Sequence, residues 1–318
     1  MPRQPAKEGP HGEGELEQDL EREDAEEKQG QEGQKQAAQE EEVGAARSDT
    51  LSLMGFLSRF RHSRILKRKL LDEEAWGDIL GQHPILDRLS AEEKGSLREL
   101  VTLFLHEKTF EGADGLALTG FMREVISAQA CLPILNLGLE WYNNWKTVVV
   151  VPDVFVAEHT EYDSAGVAHE WDEDKSGESW DSGPVILSWK DVEASGWGDG
   201  YNVIIHEAVH RLDLLDGEVN GRPVLHKGMS AAEWLEVFSR AYEDLRKRTR
   251  GRKKSRIRID EYAAESDSEF FAVTSEYFFE QPRILRSEYP DVYRLLSQFY
   301  RQQPAERAER AGSACSPR

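Results

Sequence analysis

Large apolar side chains are almost absent from the first 48 residues, where Glu, Gln, Gly and Ala dominate, and begin abruptly at Leu51. In LSLMGFLSRFRHSRILKRKLL, Phe56, Phe60, Ile65, Leu66, Leu70 and Leu71 recur at roughly helical spacing. Arg59, Arg61, Arg64, Lys67, Arg68 and Lys69 fill the gaps, so the segment predicts a lead-in helix with a solvated cationic face. A basic amphipathic helix for an acidic lipid surface or partner shares this pattern and is the less economical reading. Helical spacing continues over residues 76–83 and 90–107, the latter with Ser90 at the N-cap and Glu93 three residues on. Residues 120–132 predict a further helix that ends before Pro133.

The period then changes. Residues 145–156 (WKTVVVVPDVFV) are β-branched and apolar, which predicts a buried strand. Residues 183–189 (GPVILSW) predict a second strand, and Pro184 suits a sheet edge. Between them, residues 158–182 are acidic and punctuated by Gly and Ser, as in a loop or exposed hairpin. His159, Asp163, His169, Asp172 and Asp174 lie there without regular ligand spacing, so they read as a solvated loop rather than a second metal site. The glycines at 196–200 break the chain, Tyr201 begins a helix, and residues 231–247, 260–279 and 288–300 predict three more. No internal repeat is present. The pattern is α+β, helix-dominated, with a small β-sheet.

Composition narrows this picture. The chain has 318 residues, enough for one large or two small domains. Residues 1–48 cannot bury enough surface to offset their ordering entropy and read as a disordered acidic tail. Residues 305–318 read as a flexible C-terminal tail, leaving 49–304 as the globular domain. A net charge of -20 argues against direct nucleic-acid binding, which depends on neutralising phosphates. No apolar run approaches the ~20 residues of a transmembrane segment. The N-terminal MPRQPAKEGPHGEGELEQD lacks the apolar core of a secretory signal, so the expected location is cytoplasmic. Cys131 and Cys315, one in an apolar segment and one in a polar tail, make neither a disulfide framework nor a thiolate zinc site. Any metal must use imidazole and carboxylate.

NVIIHEAVHRLDLLDG supplies them: it contains HExxH at His206, Glu207 and His210. On a helix, positions i and i+4 share a face, so both imidazoles reach one ion. Glu207 is rotated away from the coordination positions yet able to accept a proton from a water that zinc acidifies. Val203, Ile204, Ile205 and Val209 predict a buried helix with its ligands in a cleft. A buried histidine pair and carboxylate without an ion would be costly to desolvate. Catalytic zinc takes three protein ligands. DEYAAESDSEFFAVTSEYFFEQP offers Glu261, Glu265, Glu269, Glu276 and Glu280 as the third. Glu269, just ahead of the apolar Phe270, Phe271, Val273 and Phe278, is best placed; Glu276 is expected to hydrogen-bond a ligand histidine. Asp213 is placed to orient His210, and Asp216-Gly217 reads as the helix stop. GPVILSW is a candidate for pairing with an extended substrate through a free edge, an ordinary core strand being the other reading. Tyr262, seven residues before Glu269, is either an oxyanion-stabilising phenol or a plain aromatic.

GPVILSW, NVIIHEAVHRLDLLDG, EYAAESDSEFFAVTSEYFF, YRLLSQFYRQQP and the stretch LPILNLGLEWYNNWKTVVVVPDVFV resemble the MtfA family, the Mlc titration factor A zinc peptidases, over roughly residues 71–304. The resemblance implies a zincin-like metallopeptidase domain with a gluzincin-type site, related to the catalytic domain of anthrax lethal factor. It implies one Zn2+ per chain on His206, His210 and Glu269, with Glu207 as general base and Tyr262 as the active-site tyrosine. It further implies aminopeptidase-like cleavage of small peptide substrates and association with the glucose repressor Mlc. A regulator that sequesters a transcription factor, with hydrolysis secondary, is the competing expectation.

Overall fold

The structure, a computed structural model, describes residues 61–153, 183–250 and 257–307. The chain divides into two units, Met1–Arg64 and Ile65–Arg318, and the second carries every element named below. The acidic tail at 1–48, the start of the lead-in helix, the loop at 158–182 with its histidines and aspartates, and the tail beyond residue 307 lie outside the described residues. Residues 65–69 are helical: Ile65 and Leu66 pack on the core while Lys67, Arg68 and Lys69 are exposed, as the pattern of the segment predicts.

Helix α1 (Glu73–Gln82) starts where the Asp72 carboxylate accepts the N–H groups of Glu74 and Ala75, and it buries Trp76 and Ile79. A short α2 (Pro84–Asp87) leads to α3 (Ala91–Glu107), whose capping box forms as expected: Ser90 Oγ accepts from Glu93 N–H and Glu93 returns the bond to Ser90 N–H. Strand β1 (Thr109–Gly112) follows. Sequence periodicity misses it, because TFEG is four residues long with one large apolar side chain. Helix α4 (Gly120–Cys131), capped by Thr119, is buried throughout its second half.

Strands β2 (Thr147–Val151) and β3 (Val185–Ser188) complete a parallel sheet in the order β1-β2-β3, with Thr109 opposite Thr147 and Val148 opposite Val185. Both are shorter than predicted. Strand β2 stops before Pro152, which has no N–H for the ladder. Strand β3 stops at Ser188 because its hydroxyl caps α5 (Trp189–Ala194), so Trp189 opens a helix instead of ending a strand. Among the described residues β3 is a sheet edge, the position Pro184 pointed to.

The remaining elements are α6 (Val203–Asp213), α7 (Ala231–Arg250), α8 (Asp267–Glu280), α9 (Pro282–Glu288) and α10 (Pro290–Tyr300). Two predicted helices are broken. The stretch 260–279 is a 3-10 turn, Glu261–Ala264, then α8, which restarts at Ser266 as N-cap. The stretch entered at 288 belongs to two helices, because Pro290 opens α10 and the residue before a proline resists the helical conformation. The core is aromatic where α7, α8 and α10 meet. Trp234 stacks on Phe238 at 4.1 Å, and Phe271 sits edge-on to Trp234 and Phe299. Burying such a side chain stabilises by about 1.5–3 kcal/mol. That packing braces α8 from behind, so its first turn faces α6 at a fixed distance. Among the described residues no helix is long and apolar enough to cross a membrane.

Candidate metal centre

Helix α6 begins at Asn202, whose side-chain oxygen accepts Ile205 N–H at 3.0 Å. Its apolar residues Ile205, Ala208, Val209 and Leu212 are buried in the core, which turns His206, Glu207 and His210 towards α8. Opposite them, Ser266 caps α8 by accepting Glu269 N–H at 3.1 Å, and this holds Glu269 in the first helical turn. Arg211, one residue beyond His210, donates to Pro184 O at 2.9 Å and ties the motif helix to the head of β3.

The structure brings His206, His210 and Glu269 together. Nε2 of His206 stands 3.1 Å from Nε2 of His210 and 3.1 Å from Oε2 of Glu269, and His210 Nε2 stands 3.4 Å from Glu269 Oε1. Ligands about 2.0–2.1 Å from a tetrahedral zinc ion are separated by about 3.3 Å, so these edges match one face of the coordination tetrahedron. Among the described residues, this trio is the grouping of His, Cys, Asp and Glu with ligand atoms close enough to share an ion.

Hydrogen bonding and charge point the same way. Three buried atoms of the site, Glu207 Oε1, His210 Nδ1 and Glu269 Oε2, have no hydrogen-bond partner among the described residues. Glu269 Oε2 stands 3.1 Å from His206 Nε2, an approach that becomes an ion pair only when the ring is protonated. Orphaned carboxylate oxygens in a buried site are costly unless a cation compensates them. Burial opposes a charge on His206, yet Glu269 and Glu276 outweigh it, with Glu207 adding to them, and raise its proton affinity well above the ordinary histidine value. Burial likewise opposes ionisation of Glu269, and the two imidazoles overcome it and hold its carboxyl far below the usual carboxylate range. The pocket draws positive charge towards the point where the three ligand atoms converge. The donor set therefore fits a divalent metal.

Neighbouring residues fall partly where the sequence placed them. Glu276, two turns after Glu269 on α8, accepts a bond from His206 Nδ1 at 2.8 Å, as expected of a residue orienting a ligand histidine. Tyr262 lies with its ring centroid 6.0 Å from that of His206, although it sits on the separate 3-10 turn and not on the helix of Glu269. Asp213 does not orient His210. Its carboxylate turns away to accept Gly221 N–H at 2.7 Å and Arg222 N–H at 2.9 Å, stapling the loop after the helix. Asn202 is missing from the sequence reading, which named Glu280 only as one candidate for the third ligand, and both prove to be buried beneath the site. An Asn immediately before an apolar-periodic run is a start signal that would have marked Asn202. Nothing local shows that Glu280 bonds to Asn202 and Gly198 rather than serving as a ligand, because those partners are remote in sequence.

A family model described as glucose-regulated metallo-peptidase M90 matches residues 57–301. Mlc titration factor A of Salmonella arizonae is 35% identical over 233 residues, covering 73% of this chain and 92% of that protein. The protein of the same name from Salmonella schwarzengrund is 35% identical over 233 residues, covering 73% of this chain and 87% of that protein.

Proposed function

The chain belongs to the glucose-regulated metallopeptidase M90 family, and on that premise we propose that it is a zinc-dependent peptidase of aminopeptidase type. One observation carries the reading: the atoms of His206, His210 and Glu269 converge at 3.1–3.4 Å beside Glu207 Oε1, which has no hydrogen-bond partner among the described residues. His206, His210 and Glu269 hold one zinc ion per chain. When bound, the ion acidifies water and polarises a carbonyl oxygen.

The chain's own residues supply the rest. Glu207 Oε1, buried and without a hydrogen-bond partner among the described residues, accepts the proton of the attacking water and delivers it to the departing amine. Tyr262, beside His206, donates a hydrogen bond from its hydroxyl to the oxygen on which negative charge develops. Glu276 fixes His206 through Nδ1, leaving Nε2 to face the ion. Strand β3, joined to the motif helix through Arg211, offers an edge that is unpaired among the described residues to an extended peptide backbone. The aminopeptidase mode follows the family resemblance.

The test is zinc content together with turnover of chromogenic amino-acid anilides and a broad peptide panel, for wild type, Glu207→Gln and Glu269→Ala. We expect one zinc per wild-type chain with turnover, zinc without turnover in Glu207→Gln, and weakened zinc binding in Glu269→Ala. A zinc-loaded wild type that cleaves nothing on the panel would overturn the peptidase reading.

A second reading is favoured by the name of the relatives, which refers to Mlc. The chain then binds Mlc or a similar regulator, and its net charge of -20 suits a basic partner. Failure to capture Mlc at several salt concentrations would sink it.

A further inference from the structure

Beneath the metal centre, a run of buried polar bonds converges on Asn202. Its side-chain oxygen caps α6, and its carbonyl accepts His206 N–H at 2.9 Å. Its Nδ2 donates to Gln129 Oε1 at 2.6 Å and to Glu280 Oε1 at 2.8 Å, and its backbone N–H donates to Glu276 Oε2 at 2.5 Å. Every polar group of Asn202 is thus engaged. Glu280, only 1% exposed, uses its second oxygen to accept Gly198 N–H at 2.5 Å. The result is one continuous path, Gly198 to Glu280 to Asn202 to Glu276 to His206.

This is an expensive way to fill space. Two carboxylates, Glu276 and Glu280, are buried one helical turn apart on α8, with Asn202 bridging them. Well-packed apolar residues of similar volume would often be as stabilising. What the polar arrangement adds is orientation. A carboxylate held by one oxygen still swivels about its side-chain torsion, and the imidazole bonded to it swivels with it. Glu276 is held at both oxygens: His206 on one, the Asn202 backbone on the other. The Asn202 backbone is itself pinned by its side chain, which spans from α4 to α8 through Gln129 and Glu280.

We infer that Asn202 and Glu280 are positioning residues of the metal centre, fixing the Glu276 carboxylate and, through it, the ring plane and tautomer of His206. The inference rests on the zinc-site reading above. Partners that orient a ligand typically change metal affinity about 10–100-fold when lost, and a clamp one bond further out belongs at the lower end.

The test uses the full chain and two readouts independent of turnover: zinc affinity by competition with a chromogenic chelator, and the visible absorption spectrum of the Co2+-substituted protein. Asn202→Ser keeps a capping hydroxyl but removes Nδ2, and Glu280→Gln is isosteric but neutral. Thr274→Val is the control for a disturbed α8, since Thr274 is buried and its hydroxyl, among the described residues, bonds only to the backbone oxygens of Phe270 and Phe271. We expect zinc affinity to fall about 10-fold in Asn202→Ser and Glu280→Gln, with an altered Co2+ spectrum, and to hold in Thr274→Val. Wild-type affinity and spectrum in both clamp variants would overturn the inference, even with lowered thermal stability, and so would an equal loss in Thr274→Val. A wild type that binds no zinc would overturn the zinc-site reading itself and the clamp with it.

Discussion

Nε2 of His206 and Nε2 of His210 face each other at 3.1 Å, with a Glu269 oxygen 3.1 Å from the first and another 3.4 Å from the second. Because His206 Nδ1 is committed to Glu276, the ring when neutral presents its lone pair at Nε2. Lone pairs and a carboxylate pointing at one another repel unless a cation lies among them, a proton on His206 in the metal-free protein or a metal ion in the loaded one. Metal removal is therefore expected to destabilise the fold. At a thousandfold excess over its Kd a ligand stabilises by about 4 kcal/mol. For a domain of this size that is roughly 8–16 °C in Tm. Calorimetry with and without a chelator measures it. An unchanged Tm, with metal shown to be removed, would mean that the site carries no folding load.

Tyr262 sits on its own 3-10 turn and reaches the centre by ring proximity to His206. If its hydroxyl serves the developing oxyanion, Tyr262→Phe should lower kcat about 10²–10³-fold with little change in KM or zinc content. A loss confined to KM would reassign the tyrosine to substrate binding.

What the sequence revealed and what it concealed follow one physical distinction. Patterns set by local periodicity were legible: HExxH places two imidazoles on one helical face, and Glu269 heads an apolar stripe whose burial had to bring it inward. The break before α8 was legible too, since Ser266 with Glu269 three residues on is the same cap pattern that identified α3, but continuous apolar spacing masked it. Strand β1 was not legible, because its pairing with β2 and not its composition makes it a strand. Proximity in sequence misled at Asp213, whose carboxylate found two backbone N–H groups eight and nine residues ahead instead of the histidine three residues behind.

That Asp213 staple gives Gly221 a role. Gly221 has φ +73°, and a Cβ there would approach the Asp267 carbonyl oxygen to 2.5 Å. Asp267 opens α8 two residues before Glu269. Gly221→Ala must therefore adopt a strained backbone and push on the turn that carries Glu269, the proposed metal ligand. We expect a loss of about 2–4 kcal/mol, measured by denaturant unfolding of the chelated protein, and weaker zinc binding in the same variant. Stability lost with zinc affinity intact would show that the loop yields without moving Glu269.

Glu280 leads to a prediction about pH. Burial pushes its carboxyl up to about 7, against the hydrogen bonds from Asn202 and Gly198 that favour the ionised form. A raised carboxyl means that the folded state holds its proton more tightly than the unfolded state, where such a group titrates near 4.3. Stability from this group is therefore greatest at low pH and declines as pH rises from about 4.3 to about 7, by on the order of 3 kcal/mol, after which the cost of the buried charge is constant. Glu280→Gln cannot ionise, so its stability lacks that decline. The two proteins should differ most in the wild type's favour near pH 5, and the gap should close or reverse by pH 8. Unfolding free energies of both, measured between pH 5 and 8 at fixed ionic strength, decide it. A constant difference across the range would mean that Glu280 is ionised throughout, with the donors from Asn202 and Gly198 outweighing burial.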